Sequence, residues 1–215
     1  MENKRDIKET IRVDWIVSLR ALATLAVVLL HVVAGWLDNS KETITGSRMI
    51  LDEIVIQVFV RWAVPCFIMI SGALLLNPLR QMEIEKIKKY IMRMLKVLLT
   101  FGLAYCFIEL VANGYRNPIE ILLFAFKNLL EGNSWSHMWY VYMIMGLYMI
   151  TPMLRDFLKV TNESTLKFTL LILFFFGIVR PTINNLFQIQ LAQVIPISTA
   201  YVFYYEAVNF FVSLN

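Results

Sequence analysis

Arg20 and His31 stand eleven residues apart in the first long apolar run of the chain. On an α-helix that interval is ~1100°, three turns plus ~20°, so both side chains project from one face, ~16.5 Å apart along the axis. Arginine is a permanent cation with a planar fork of donors, suited to phosphate or carboxylate. Histidine takes up and releases protons near neutral pH. One helix face thus offers anion binding at one level and proton transfer at another. Charged groups inside an apolar span cost roughly 2.5–3.5 kcal/mol each on insertion scales, which makes them functional candidates. A plainer role stays open: Arg20 snorkelling or pairing with Asp14, and His31 bonding to a neighbouring helix.

Two further clusters carry polar groups into apolar surroundings. Arg61 precedes Pro65, Cys66, Ser71 and Gly72 in the second apolar run. A proline inside a span removes a backbone donor and kinks the helix, while serine and glycine allow close helix approach. Physics alone reads this cluster as a kinked helix lining a polar cavity. His137, Trp139, Tyr140 and Tyr142 open the fourth run. The aromatic residues fit an interfacial belt, which leaves His137 unexplained. The sequence holds no nucleophile elbow, zinc-protease helix, Walker A loop or dinucleotide fingerprint. Its two histidines and two cysteines have no metal-ligand spacing, so no metal is expected. Cys66 and Cys106 both fall in apolar runs and read as small buried residues rather than a disulfide.

These side chains need elements to hold them, and the composition indicates which. The chain is 59% hydrophobic and 17% charged, with a mean hydropathy of +0.64. Its apolar residues come in blocks near the ~20-residue length that crosses a ~30 Å hydrocarbon core. The blocks are 15–37, 54–76, 94–112, 138–154, a short one at 166–179, and one from 196 still running at Asn215. Lipid cannot satisfy backbone donors and acceptors, so each must be a helix. The expected fold is an all-α polytopic transmembrane bundle of about six spans, the last cut short, in a single membrane domain covering 1–215.

Basic residues set the orientation. Lys4, Arg5, Lys8 and Arg12 precede the first run. Arg80, Lys86, Lys88, Lys89, Arg93 and Lys96 surround the second connection, and Arg155, Lys159 and Lys167 the fourth. That is thirteen on one side, against five on the other (Lys41, Arg48, Arg116, Lys127, Arg180). The positive-inside rule places the thirteen, and the N-terminus, in the cytoplasm. The net charge of +4 is dispersed between apolar blocks, which is not the clustered footprint of a nucleic-acid binder. The N-terminus lacks the features of a cleaved leader, so the first span is expected to be retained. Two stretches read as interfacial: residues 81–96, a basic amphipathic helix running into the third span, and residues 118–130, a helix lying in the headgroup region. An ordinary connector with a solvated face is the alternative for each.

With these residues in view, the chain resembles the acyltransferase 3 family of polytopic membrane acyltransferases. The family mark is an arginine, ten residues, then a histidine in the first span, here Arg20 and His31. The run from Val64 to Leu75 is similar to the family's Pro-x-Phe-Phe-x-x-Ser-Gly stretch through Pro65, Phe67, Ser71 and Gly72. Arg93 matches a family arginine before the third span. His137, Met138, Trp139 and Tyr140, leading to Gly146, Tyr148 and Pro152, resemble its His-Leu-Trp-Tyr run. The four matches occur in family order over residues 13–155.

The resemblance implies transfer of an acyl group, often acetyl, from acyl-CoA to a hydroxyl of a cell-envelope carbohydrate or related acceptor. It implies a multi-pass protein of the cell membrane, the bacterial inner membrane, with acyl-CoA as substrate and no resident cofactor. On it, His31 is the catalytic base. Arg20 and Arg93 hold the acyl donor, with Arg20 also catalytic. Arg61, His137 and Trp139 bind the acceptor or stabilise charge. Family members commonly run longer and carry more spans, so the chain reads as the N-terminal portion of a longer family domain. Two other classes stay open: a transporter-like module for a small molecule or lipid-linked sugar, and an inactive fragment that packs with other membrane proteins.

Overall fold

A computed structural model describes residues 2–40, 62–77, 82–133, 138–188 and 199–213. Every regular element among them is helical: α1 Glu2–Ser40, α2 Ala63–Leu75, α3 Ile84–Val97, a π-helical turn Leu98–Gly102, α4 Leu103–Ala112, α5 Pro118–Leu130, α6 Trp139–Val160, α7 Glu163–Phe174, a second π-helical turn Phe175–Val179, α8 Arg180–Phe187 and α9 Thr199–Ser213. Among the described residues four helical stretches are long and apolar enough to cross a membrane: Trp15–Gly35, Ile84–Ala112, Trp139–Val160 and Glu163–Phe187. Ala63–Leu75 is a shorter apolar helix.

The expected helical class holds, and two stretches differ in length. The fifth, expected at 166–179, runs for 25 residues to Phe187. Its C-terminal extension is α8, which follows the π-helical turn directly and carries Pro181 at its start. A proline ring crowds the carbonyl four residues back, and a widened turn relieves that crowding without ending the helix. The third is a continuous helix of 29 residues, ~43 Å long and thus ~13 Å longer than a bilayer core. Its excess length is the charged part: Lys86, Lys88, Lys89, Arg93 and Lys96 are exposed on α3 while Ile87 is buried. The basic amphipathic helix running into the third span is therefore present.

The chain divides into two compact units, residues 75–163 and residues 1–74 with 164–215. In the first unit, α4 and α5 form a hairpin. Each ends in a glycine with positive φ, Gly114 at 92° and Gly132 at 74°. Tyr115 donates its N–H to the Leu110 carbonyl and Gly114 to that of Val111; Asn133 donates to Asn128 and Gly132 to Leu129. These are paired caps that satisfy the last carbonyls, and they need glycine's left-handed freedom. Asn117 caps the start of α5 by accepting from the Ile119 N–H, with Pro118 in the first turn, where its missing donor costs nothing. Cys106 and Leu110 of α4 bury against Ile121 and Ala125 of α5. Leu129 joins Leu98 and Met138. The order of these contacts makes α5 antiparallel to α4, so it packs along the third helix instead of lying flat as an interfacial connector. The four-residue spacing of Ile121, Ala125 and Leu129 supplies the stripe. Cys106 is fully buried in that seam and Cys66 partly buried.

In the second unit, α9 packs on the π-helical turn after α7, with Phe174 and Phe203 5.4 Å apart. Gly72 of α2 lies directly against the backbone carbonyl of Tyr205 in α9.

Candidate functional site

The buried stripe of α1 centres on Ala23, which is fully buried. Ile16, Leu19, Val27, Leu30 and Ala34 are partly buried and fall within about 40° of it at 100° per residue. Val17, Leu25, Val28 and Val32 point the opposite way and are more than half exposed. Arg20 and His31 are exposed and lie about 60° and 80° to one side of the stripe. They therefore run along the edge between the packed face and the apolar outer face. The shared face expected from their spacing is present because α1 is unbroken from Glu2 to Ser40.

Arg93 belongs to the other unit. Lys86, Lys89, Arg93 and Lys96 fall within about 80° of one another around α3, over ~15 Å of its length. Such a stripe attracts an extended anion. The Arg93 guanidinium sits 6.0 Å from the centre of the Tyr90 ring. Tyr90 in turn lies 6.0 Å from Tyr148 of α6. A cation over an aromatic face is held without losing its outward donors. Trp139 opens α6, is 41% exposed and meets Tyr140 edge-on at 6.2 Å. Arg20 and His31 thus share a helix, and Arg93 and Trp139 share a unit. Arg61 and His137 lie outside the described residues. Among the described residues no cluster of His, Cys, Asp and Glu fits a metal ion.

Two residues that sequence reading assigned no site role are buried. Arg155 appeared there only as a basic residue after the fourth span. It is 9% exposed, and its guanidinium donates to the carbonyls of Leu75 at 2.6 Å and Asn77 at 3.1 Å. The Leu75 carbonyl ends α2, where the last carbonyls lack the next turn's donors and carry partial negative charge; Asn77 follows two residues beyond the helix. Arg155→Ala is expected to destabilise the 75–163 unit by about 2–3 kcal/mol, since charge-assisted bonds are lost and buried acceptors are left unmade. Thermal unfolding in detergent, compared with Arg155→Lys, checks this; an unchanged midpoint for both variants refutes the anchoring role.

Glu206 of α9 is 2% exposed, and its Oε2 has no hydrogen-bond partner among the described residues. A carboxyl group so placed is costly unless neutralised or solvated. The available signal was an ionisable residue within the sixth apolar block. For Arg155 the sequence carried no such signal, because basic residues after a span are ordinary topology determinants.

In comparison with known families, a model described as an acyltransferase domain matches residues 13–211. It reaches past the stretch, 13–155, in which motifs are legible, and takes in α7, α8 and most of α9. No curated protein and no solved structure matches the chain.

Proposed function

The chain belongs to the acyltransferase 3 family, and on that premise we propose that it is a membrane-bound enzyme that moves an acyl group, acetyl foremost, from acyl-CoA to a hydroxyl of a cell-envelope carbohydrate or related acceptor. The observation that carries this reading is the pairing of the family match with Arg20 and His31 along one edge of α1. In the proposed topology the chain makes about six crossings of the bacterial inner membrane. The N-terminus and the cationic stripe of α3 face the cytoplasm, and the thirteen-to-five distribution of basic residues supports this.

His31 is the general base in this mechanism. It takes the proton of the acceptor hydroxyl as the oxygen attacks the thioester carbonyl. The new C–O bond forms, the C–S bond breaks, and the CoA thiolate leaves and takes up a proton. Arg20 and Arg93 hold the donor's phosphates, the fixed guanidinium fork matching their oxygens. Arg61 stabilises the charge that develops on the carbonyl oxygen or binds the acceptor. His137 and Trp139 bind the sugar, the indole stacking on its apolar face.

The test uses membranes containing this chain, acetyl-CoA and envelope glycans. Free CoA thiol released with acetyl ester on the glycan is the expected result. Movement of solute or lipid-linked sugar without CoA release would replace this reading with a transporter. Arg93→Ala is expected to raise the KM for acetyl-CoA about tenfold to a hundredfold, as loss of a charge-assisted contact does, with a smaller change in kcat. An unchanged KM would remove Arg93 from the donor site.

A further inference from the structure

The descent of α5 along α4 has a consequence for depth. Ile121 and Ala125 pack with Leu110 and Cys106. Leu129 lies against Gly102, where an added Cβ would meet its Cδ1 at 2.6 Å, and beside Leu98 and Met138. The lower end of α5 and the start of α6 therefore sit ~12–18 Å along the helix axis from Leu110. The hairpin is apolar around its circumference: one face of α5 is buried, and on the other Ile119, Leu123 and Leu130 are 70%, 65% and 76% exposed. A helix apolar on all sides belongs in lipid or in a core. Its polar groups lie at its two ends. At the lower end Lys127 pairs with Glu131 at 3.8 Å, and Asn133 donates to Glu131 at 3.2 Å. All three are exposed. Ionised groups and a non-helical turn are tolerated at membrane depth only where they meet protein or line a water-filled cavity.

We propose that α5 is a re-entrant helix: it enters the bilayer from the side of the Asn113–Asn117 turn and stops partway. Its lower end and the first turn of α6 wall a water-filled inlet at mid-depth. Trp139 stands in that first turn, so a hydroxylated polar solute entering the inlet reaches it there. The choice of solute rests on the acyl-transfer reading; the inlet itself does not.

Spin labels test it on the whole chain in liposomes, in a Cys66→Ala, Cys106→Ala background. One label each goes at Asn113, Leu123, Asn133 and Leu99, the last in the π-helical turn beside Leu129. Power saturation then compares access of oxygen with that of a water-soluble nickel chelate. Leu123 and Leu99 are expected to favour oxygen, and Asn113 and Asn133 the chelate, although Asn133 lies near the level of Leu99. An Asn133 label that favours oxygen overturns the inlet. A Leu123 label that favours the chelate places the hairpin outside the bilayer and overturns the re-entrant helix. Hydrogen exchange on the unsubstituted protein in nanodiscs gives a second reading: amides at 131–133 are expected to exchange while those at 121–126 stay protected, and the reverse refutes the proposal. A wet Asn133 in a protein that releases no CoA leaves the inlet standing and removes the acyltransferase reading. A dry Asn133 in an active protein does the opposite.

Discussion

Replacing His31 with alanine is expected to lower the rate of acyl transfer about 10²–10⁴-fold, the usual contribution of a positioned general base. That corresponds to ~2.7–5.4 kcal/mol of transition-state stabilisation. The loss should fall on kcat. In the proposed mechanism the donor's phosphates are assigned elsewhere, to Arg20 ~16.5 Å away along α1 and to Arg93, so binding of acetyl-CoA should be nearly unchanged. Alanine is the best helix former, and His31 lies beside the buried stripe rather than in it, so α1 should remain intact. Radiolabelled acetyl transfer under saturating donor, with a melting curve for each variant, measures both quantities. A folded His31→Ala protein with wild-type kcat would sink the base assignment. One that loses donor affinity instead would move His31 into the binding site.

The largest effect on assembly is expected at Gly72. A Cβ there would lie 1.9 Å from the Tyr205 carbonyl oxygen and 2.8 Å from its carbon. Both are backbone atoms and cannot rotate away, so α2 and α9 must separate. Overpacking in a close-packed interior typically costs 1–3 kcal/mol when side chains can adjust, and here they are not the obstacle. Gly72→Ala is therefore expected to cost about 3 kcal/mol, and Gly72→Leu to abolish the close approach. Hydrogen exchange locates the damage. Protection should fall in α2 and α9 while α4 and α5, in the other compact unit, keep theirs. Unchanged protection at 199–213 in Gly72→Leu would show that the contact does not hold α9.

Much of the candidate site was legible because helical periodicity is rigid. Once a run must be helical in lipid, an interval of eleven residues brings Arg20 and His31 to one face, whatever else the chain does. The cationic side of α3 followed likewise from the spacing of Lys86, Lys89, Arg93 and Lys96. Ser71 and Gly72 are residues that permit close helix approach, and Gly72 makes one. The sequence did not reveal its partner, because nothing near Tyr205 marks it as the residue approached.

Composition and block length, taken alone, determined the helical class and where long apolar helices recur, because lipid leaves the backbone no alternative to local hydrogen bonding; the family resemblance came separately, from particular residues in order along the chain. Only tertiary structure decided that Arg155 is buried on the carbonyls of Leu75 and Asn77, that Glu206 is sealed in α9, and that α5 turns back along α4 instead of lying flat. Burial of a residue at a helix end depends on which other helix arrives there. Neighbouring apolar helices attract one another in lipid through packing alone, and that detail is not written in hydropathy.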